Sequence, residues 1–152
     1  MTKPKAWANR IIGYENVPID QVLFNSKNWR LHPKAQQAAL SGVLSDVGVV
    51  QNIIINRTTG NLVDGHLRVT LADRNGETHL PATIVELSEA EEAEILATLD
   101  PLSAMAAADR EKLDELLREV HTGDAAVMEM LTQLAEKAGM YSVDGIDAPM
   151  LA

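Results

Sequence analysis

The segment Asn61–Ala72 combines residue types at a spacing that suits phosphate binding. Gly65 follows the apolar pair Leu62 and Val63 and precedes a helix-like pattern, which predicts a strand, a tight turn and a helix. A glycine at such a turn lets backbone approach a ligand closely. Free N–H groups at the start of a helix favour an anion, and Arg68 in the first turn would add a planar cation. The segment therefore predicts a phosphate site.

Asp64 and His66 flank the glycine and are the candidate catalytic residues. His66 would act as a phosphate donor or as a general acid or base, because imidazole titrates near neutral pH; the alternative is a polar residue of the first helical turn. Asp64 either caps the helix or serves as a carboxylate for a metal or a proton. Arg68 either binds phosphate or pairs with Asp64.

Three more residues are candidates for the same site. Arg30 lies in the polar, turn-like segment 25–32 and would supply a second cation. Gln51 would hydrogen-bond a ligand or cap the start of its strand. Trp29 either stacks on a base, which contributes ~1–3 kcal/mol per base, or fills the core beneath its loop.

The sequence contains no cysteine, which excludes disulfides, thiolate metal sites and thiol catalysis. The histidines are scattered, without an H-x-x-x-H pattern or a carboxylate triad, so no metal site is predicted in the protein itself. A Mg²⁺ ion carried in with a nucleotide needs few protein ligands. The chain has no apolar run long enough for a membrane span and no secretory signal, so a cytoplasmic location is the expectation.

Charge is distributed unequally over the 152 residues, whose net charge is −9. Residues 1–80 contain nine Lys/Arg and six Asp/Glu, a balance of +3, whereas residues 81–152 contain four and sixteen, a balance of −12. Because DNA phosphates require a basic face, any DNA contact is expected in the first half. The acidic half indicates either a solvated helical surface or a surface for a basic partner or a second copy.

The order of patterns predicts a small α/β core up to about residue 87, followed by three helices. Ile53–Ile55 and Leu62–Val63 read as strands around a turn, and His79–Leu87 as a further strand. A strand starting at Val17 and a helix over 34–46 precede them. Ser88–Glu91 is a capping box, and the helix after it is expected to stop at Asp100-Pro101.

Two further helices are predicted to begin at Asp109 and after Asp124, with apolar residues at helical spacing. An ordinary core is the expected use of these faces, and a dimer or partner groove is the alternative. Their apolar residues are Leu113, Leu116, Leu117, Val120, Val127, Met130, Leu131 and Leu134.

Several short motifs, in this order, resemble the ParB/sulfiredoxin superfamily over roughly residues 17–100. Leu62–Arg68 with Ala72 is similar to the family's I-V-x-G-E-R-R-x-x-A box, and Asn28–Arg30 to its N-P-R segment. Gly48–Asn52 resembles the G-x-x-Q-P segment. His66 stands where sulfiredoxins have their catalytic cysteine, so the resemblance excludes sulfinic acid reduction. Leu99–Ser103 takes the place of the family's E-N-x-Q-R segment.

The resemblance implies an α/β (α+β) fold, with a small mixed sheet and helices in a ParB/sulfiredoxin-like core followed by a C-terminal helical extension. The expected divisions are an arm over 1–16, the ParB-like domain over 17–100, the extension over 101–139 and a tail over 140–152. Stand-alone ParB-like proteins of phages and prophages are the nearest type, and these often accompany DNA methyltransferases.

The implied function is binding of a nucleotide or phosphate group, CTP or ATP with Mg²⁺, by Gly65, His66, Arg68, Arg30 and Gln51. A DNA-linked role would follow: regulation, a partition-like switch or support of a methyltransferase. One alternative is a non-catalytic interaction or oligomerisation module that uses the acidic helices. Another is a metal-dependent nuclease. Whether the protein turns over a nucleotide or a nucleic acid stays open.

Overall fold

The computed structural model describes residues 5–140. In this part of the chain, four strands form one mixed sheet in the order β1-β4-β2-β3. β1 pairs antiparallel with β4, β4 runs parallel to β2, and β2 pairs antiparallel with β3. The strands are β1 (Ile11–Pro18), β2 (Ile53–Asn56), β3 (Leu62–Asp64) and β4 (His79–Val85).

Five helices accompany the sheet in the described part, together with a short 3₁₀ helix at Ile19–Gln21. They are α1 (Lys34–Asp46), α2 (His66–Arg74), α3 (Glu89–Ala104), α4 (Arg110–Glu119) and α5 (Ala125–Lys137). The expected α+β class with a small mixed sheet and a C-terminal helical part is confirmed. No helix among residues 5–140 has the length and apolar character needed to cross a membrane.

The chain divides into two compact units. Unit 1 comprises the residues up to Arg30 together with Gln51–Pro101 and contains the sheet and α2; unit 2 comprises Leu31–Val50 and the residues from Leu102 onward. In this division α1 belongs to the same unit as α4 and α5. The predicted tail lies, apart from Met140, outside the described residues.

Unit 1 is built around apolar residues of the sheet and α2. The continuous apolar run of β2 suits a strand with neighbours on both sides, and Ile53 is buried there. The parallel β2–β4 pair requires a crossover, which β3 and α2 supply. Its buried core cluster consists of Ile19, Ile53, Leu62, Val69, Ala72, Leu80, Ala82 and Ile84.

Two sequence boundaries are wrong. Residues 11–16, expected in an arm, belong to β1 and pair with β4, with Tyr14 opposite Thr83. This strand is at the edge of the sheet and largely exposed, so it lacks the apolar alternation that identifies half-buried strands. The predicted stop at Pro101 is also wrong, because α3 continues through this residue to Ala104.

The capping box at the start of α3 is present as predicted. The backbone N–H of Glu91 donates to Ser88 Oγ at 3.2 Å, and the N–H of Ser88 donates to Glu91 Oε1 at 2.9 Å. Arg10, directly before β1, also donates hydrogen bonds to this carboxylate, and together with the bond from Ser88 they lower the pKa of Glu91 to about 2. The box therefore satisfies helix N-terminal donors and connects α3 to the edge strand.

Unit 2 contains α1, α4 and α5, and a close approach of α1 to the start of α5 explains a glycine in mid-helix. A Cβ at Gly42 would lie 2.5 Å from the Asp124 carboxyl carbon. Asp124 caps α5 by accepting from the N–H of Val127 at 3.0 Å. Thr122 Oγ1 donates to Asp46 Oδ2 at 2.6 Å beside it. Gly42 thus admits a cap that a larger residue would displace.

The apolar faces predicted for α4 and α5 are only partly buried. Leu117 and Ala135 form the centre of this core, and Leu113 and Leu131 pack against it. Exposure remains at three of the residues assigned to these faces: Leu116, Met130 and Leu134. The sequence analysis missed Ala135, because it identified the apolar face of the helix from large side chains only.

We expect Leu117→Ala to lower the free energy of unfolding by roughly 2–5 kcal/mol, because truncation leaves a cavity in a buried core. Leu116→Ala is the matched control, since Leu116 is 58% exposed and Leu117 only 2% exposed; a change within about 0.5 kcal/mol is expected. Urea unfolding followed by circular dichroism measures both. Equal losses would contradict the observed packing of α4.

Candidate functional site

The predicted corner between β3 and α2 forms as the sequence indicates, with Gly65 between Asp64 and His66. Gly65 has φ +102°, a left-handed conformation that side chains rarely adopt. A Cβ there would lie 2.6 Å from Ile53 Cγ2 and 3.0 Å from Arg68 Nη2. The glycine therefore admits a core isoleucine and a guanidinium, and these groups fill the space in which close approach of a ligand was predicted.

The Asp64 carboxylate forms ion pairs with two arginines. Arg68 Nη2 donates to Asp64 Oδ2 at 3.1 Å, and Arg30 Nη1 lies 3.5 Å from Asp64 Oδ1. Gly65 is the N-cap of α2, and no side chain caps this helix, so the capping role considered for Asp64 is wrong. Its carboxylate instead holds two cations beside the end of β3.

Arg68 is fixed by three acceptors. In addition to Asp64, its Nη1 donates to Gln51 Oε1 at 2.6 Å and its Nη2 to the Asn52 carbonyl at 3.3 Å. Its side chain is 15% exposed. The structure thus brings three predicted site residues, Gln51, Gly65 and Arg68, into direct proximity.

Arg30 joins this group and adds an acidic residue that the sequence analysis missed. Its Nη1 lies 3.0 Å from Asp100 Oδ2 on α3, and its side chain is 13% exposed. Asp100 was interpreted only as part of an Asp-Pro helix stop. Because the helix continues, Asp100 lies two turns after Glu92 and one turn after Leu96, and this spacing is the signal that could have identified it.

The two arginines have buried donors that nothing in the described chain satisfies. Arg30 Nε, Arg30 Nη2 and Arg68 Nε are buried without a hydrogen-bond partner among residues 5–140. Buried donors in proteins are nearly always paired. Leaving a buried donor unpaired costs more free energy when it belongs to a charged group than when it belongs to a neutral one. These three N–H groups are therefore the strongest indication of a ligand in unit 1.

His66 is buried, and the residue as a whole is only 7% exposed. Its Nε2 accepts from the backbone N–H of Asn25 at 3.2 Å, and the ring stacks on Phe24 with a centroid distance of 5.8 Å. An Nε2 that accepts cannot donate to a phosphate at the same time. In this structure the side chain positions the 24–25 segment against α2.

Trp29 is anchored on α3 but is exposed, so the interpretation that it fills the core beneath its loop is wrong. Its Nε1 donates to the Leu96 carbonyl at 2.8 Å, which fixes the ring on α3. More than half of the side chain is exposed, so a face is open for stacking.

A second polar group in unit 1 was not predicted. Glu92 is buried and accepts from Thr59 Oγ1 at 2.6 Å, Asn56 Nδ2 at 3.1 Å and Asn25 Nδ2 at 3.3 Å. Burial raises the pKa of Glu92, but the hydrogen bonds from Thr59 and the asparagines outweigh it, so the pKa lies below its ordinary value. Glu92 fixes α3 to the turn after β2 and to the loop that leads to Arg30.

Residues 5–140 contain no group of three or more His, Asp or Glu side chains that could hold a metal ion. A separate cleft of unit 1, between the 3₁₀ helix and the end of α2, contains none of the predicted site residues. Its lining is Pro18, Ile19, Asp20, Gln21, Asp73, Glu77, Thr78 and His79.

Solved structures of ParB N-terminal domains resemble this chain. One is the C-terminally truncated chromosome-partitioning protein ParB from Caulobacter crescentus complexed with CTP-gamma-S, with 22% identity and a TM-score of 0.58 over 81% of this chain and 79% of that one. Another is a Pnob8-like ParB-N domain, with 14% identity and a TM-score of 0.54 over 91% of this chain. The chain spans 57% of the length of the latter.

No protein-family model matches the chain, and no curated protein matches it. At these identities the comparisons establish the fold, which is that of the ParB N-terminal domains.

We expect Gly65→Ala to destabilise the protein more than Gly76→Ala. Both glycines have positive φ, so each alanine costs about 1–2 kcal/mol of backbone strain. Only at Gly65 would the new Cβ also press on buried Ile53, whereas nothing lies within 4 Å at Gly76, and overpacking costs a further ~1–3 kcal/mol. Urea unfolding of both variants tests this, and equal losses would exclude the packing role of Gly65.

Glu92→Gln should lower the free energy of unfolding by about 1–3 kcal/mol at pH 7, since an amide nitrogen cannot accept the bonds that the carboxylate accepts. Because the folded pKa of Glu92 lies below its ordinary value of 4.5, ionisation stabilises the folded state above that pH and the effect is lost as the pH falls through the folded pKa. The difference between variant and wild type should therefore shrink below about pH 4.5.

The control for this pH profile is Glu94→Gln, an exposed change on the same helix. It should follow the wild type across the range of pH, as measured by chemical unfolding. A difference for Glu92→Gln that stays constant down to pH 3 would contradict a stabilising carboxylate.

Proposed function

We propose that unit 1 binds the phosphate groups of a nucleotide, with Arg30 and Arg68 as the cationic ligands and Gln51 orienting the second of them. The observation that supports this most directly is the set of buried, unpartnered N–H groups on Arg30 and Arg68. Guanidinium groups suit phosphate oxygens because several N–H donors lie in one plane. A phosphate supplies the acceptors that these donors lack.

Charge supports the same proposal. Arg30 and Arg68 share Asp64, and the second carboxylate near Arg30, Asp100, is about half exposed. The two guanidiniums therefore carry more charge than the partly buried Asp64 alone can neutralise. An anion that replaced Asp100 would bind where two cations are already held in place by protein contacts, which limits the cost of ordering side chains.

A nucleoside triphosphate, CTP or ATP, is the proposed ligand. Similarity of fold to a ParB complexed with CTP-gamma-S supports this choice. The exposed face of Trp29 would contact the base, since every base offers a π-face for stacking. Mg²⁺ would enter with the triphosphate and stabilise its charge, because this ion is usually held by substrate phosphates and few protein ligands.

Binding, and not hydrolysis, is the activity proposed for this site. His66 Nε2 accepts from Asn25, and Asp64 is paired with two arginines, so neither side chain offers a free base for an attacking water. The biological role would be DNA-linked, as a regulator, a partition-like switch or a methyltransferase accessory in a phage or prophage, for which the ParB-like fold is the support.

We expect isothermal titration with CTP, ATP and GTP, with and without Mg²⁺, to detect binding of at least one nucleotide to the wild type. Arg30→Gln and Arg68→Gln should each weaken this binding roughly 10- to 100-fold, the equivalent of losing charged hydrogen bonds. Arg57→Gln, a change of an exposed arginine in the same unit, should leave the affinity unchanged.

Circular dichroism spectra and urea unfolding curves would identify any variant that has lost its fold. Absence of heat for every nucleotide, with a folded wild type, would overturn the proposal. The same conclusion would follow if Arg57→Gln weakened binding as much as the two site variants.

A further inference from the structure

One face of helix α3 contacts the loop 25–30 at three points. Glu92 accepts from Asn25 Nδ2, the Leu96 carbonyl accepts from Trp29 Nε1, and Asp100 pairs with Arg30. The three α3 residues are spaced four apart, so they lie one above another on the helix. Their partners in the loop occur in the same order along the chain, so the helix and the loop run alongside each other. We call these three contacts the clasp.

The three contacts differ in burial. Glu92 is buried and has three donors, and the Leu96 contact uses a main-chain carbonyl within the helix. The Asp100 side chain is 48% exposed and precedes Pro101. Because proline has no N–H and fits poorly in a helix interior, the helix is weakest at this end. Asp100 is thus the part of the clasp that can separate at the lowest cost.

Separation of Asp100 would change access to Arg30. The Arg30 side chain is 13% exposed, and its Nη1 faces both Asp64 and Asp100. Asp64 is itself held by Arg68, so it is not available to leave. An incoming anion can therefore gain contact with Arg30 by taking the place of Asp100.

We propose that Asp100 is an internal counter-anion that occupies Arg30 in the free protein and is displaced when a phosphate group binds. This inference rests on the proposed function, and it adds a regulatory residue to that site. A tethered carboxylate competes with ligand because only the fraction of molecules with Asp100 displaced can bind fully, and the apparent dissociation constant rises accordingly. The clasp thereby sets the concentration of ligand at which the site responds.

The test is titration calorimetry of CTP with Mg²⁺, and of inorganic pyrophosphate, into the wild type, Asp100→Asn and Glu94→Gln. Each variant removes one negative charge from α3, but Glu94 is exposed and has no ion pair within the described residues. We expect Asp100→Asn to tighten binding roughly two- to tenfold, in the range for a half-exposed ion pair, and Glu94→Gln to change it less than twofold.

A fluorescence measurement reports displacement directly. In a Trp7→Phe background, Trp29 is the single tryptophan. Its Nε1 donates a hydrogen bond to the Leu96 carbonyl, one helical turn before Asp100. Saturating inorganic pyrophosphate, which has no base to stack on Trp29, should shift this emission in the protein that retains Asp100. The Asp100→Asn variant without ligand should already show part of the same shift. Unchanged emission of the free Asp100→Asn variant would count against the proposal.

The outcomes separate the two proposals. If the wild type binds and Asp100→Asn binds no more tightly than Glu94→Gln, the internal counter-anion is wrong and the nucleotide site stands. If neither the wild type nor Asp100→Asn binds either probe, the nucleotide site itself is wrong and this inference falls with it.

Discussion

The carboxylate of Asp64 is the group on which the arrangement at the β3–α2 corner depends. Two guanidiniums are held within a largely buried region of unit 1, and charges are expensive to remove from water unless they are paired. Asp64 supplies that pairing for both Arg30 and Arg68. Its position at the end of β3, directly before the Gly65 turn, fixes where the two cations meet.

Glu92 performs a related task without a cation. Its carboxylate is buried against neutral hydroxyl and amide donors, and their number compensates for desolvation. The Asn56 side chain also accepts a hydrogen bond from the N–H of Leu87 and donates one to the Leu87 carbonyl. The network therefore connects β2, the segment that leads into α3 and the loop of Asn25. The position of Arg30 therefore follows from polar contacts that begin at Asn25, five residues earlier in the chain.

Local signals predicted the β3–glycine–α2 corner, the β2–β3 turn and the caps at Ser88, Asp109 and Asp124, because each depends on neighbours in sequence. The sequence could not predict which arginine donors would be left unpaired or that Asp100 would reach Arg30, since both follow from tertiary packing. Most of edge strand β1, the part before Val17, was missed for a similar reason: pairing with β4 defines this strand, and its exposed side chains give no periodic pattern.

The ladder between β1 and β4 joins distant parts of the chain, with Pro18 opposite His79 and Ile11 opposite Val85. Strands β2 and β3 are separated by one short turn, and β4 follows them after a single helix. Bringing Pro18 next to His79 closes a much longer stretch of chain, and therefore costs more conformational entropy, than pairing β2 with β3 or with β4. Such non-local contacts also slow folding. Assembly of the sheet is thus favoured to start from the segment 53–85, with the first strand added to a template that already exists.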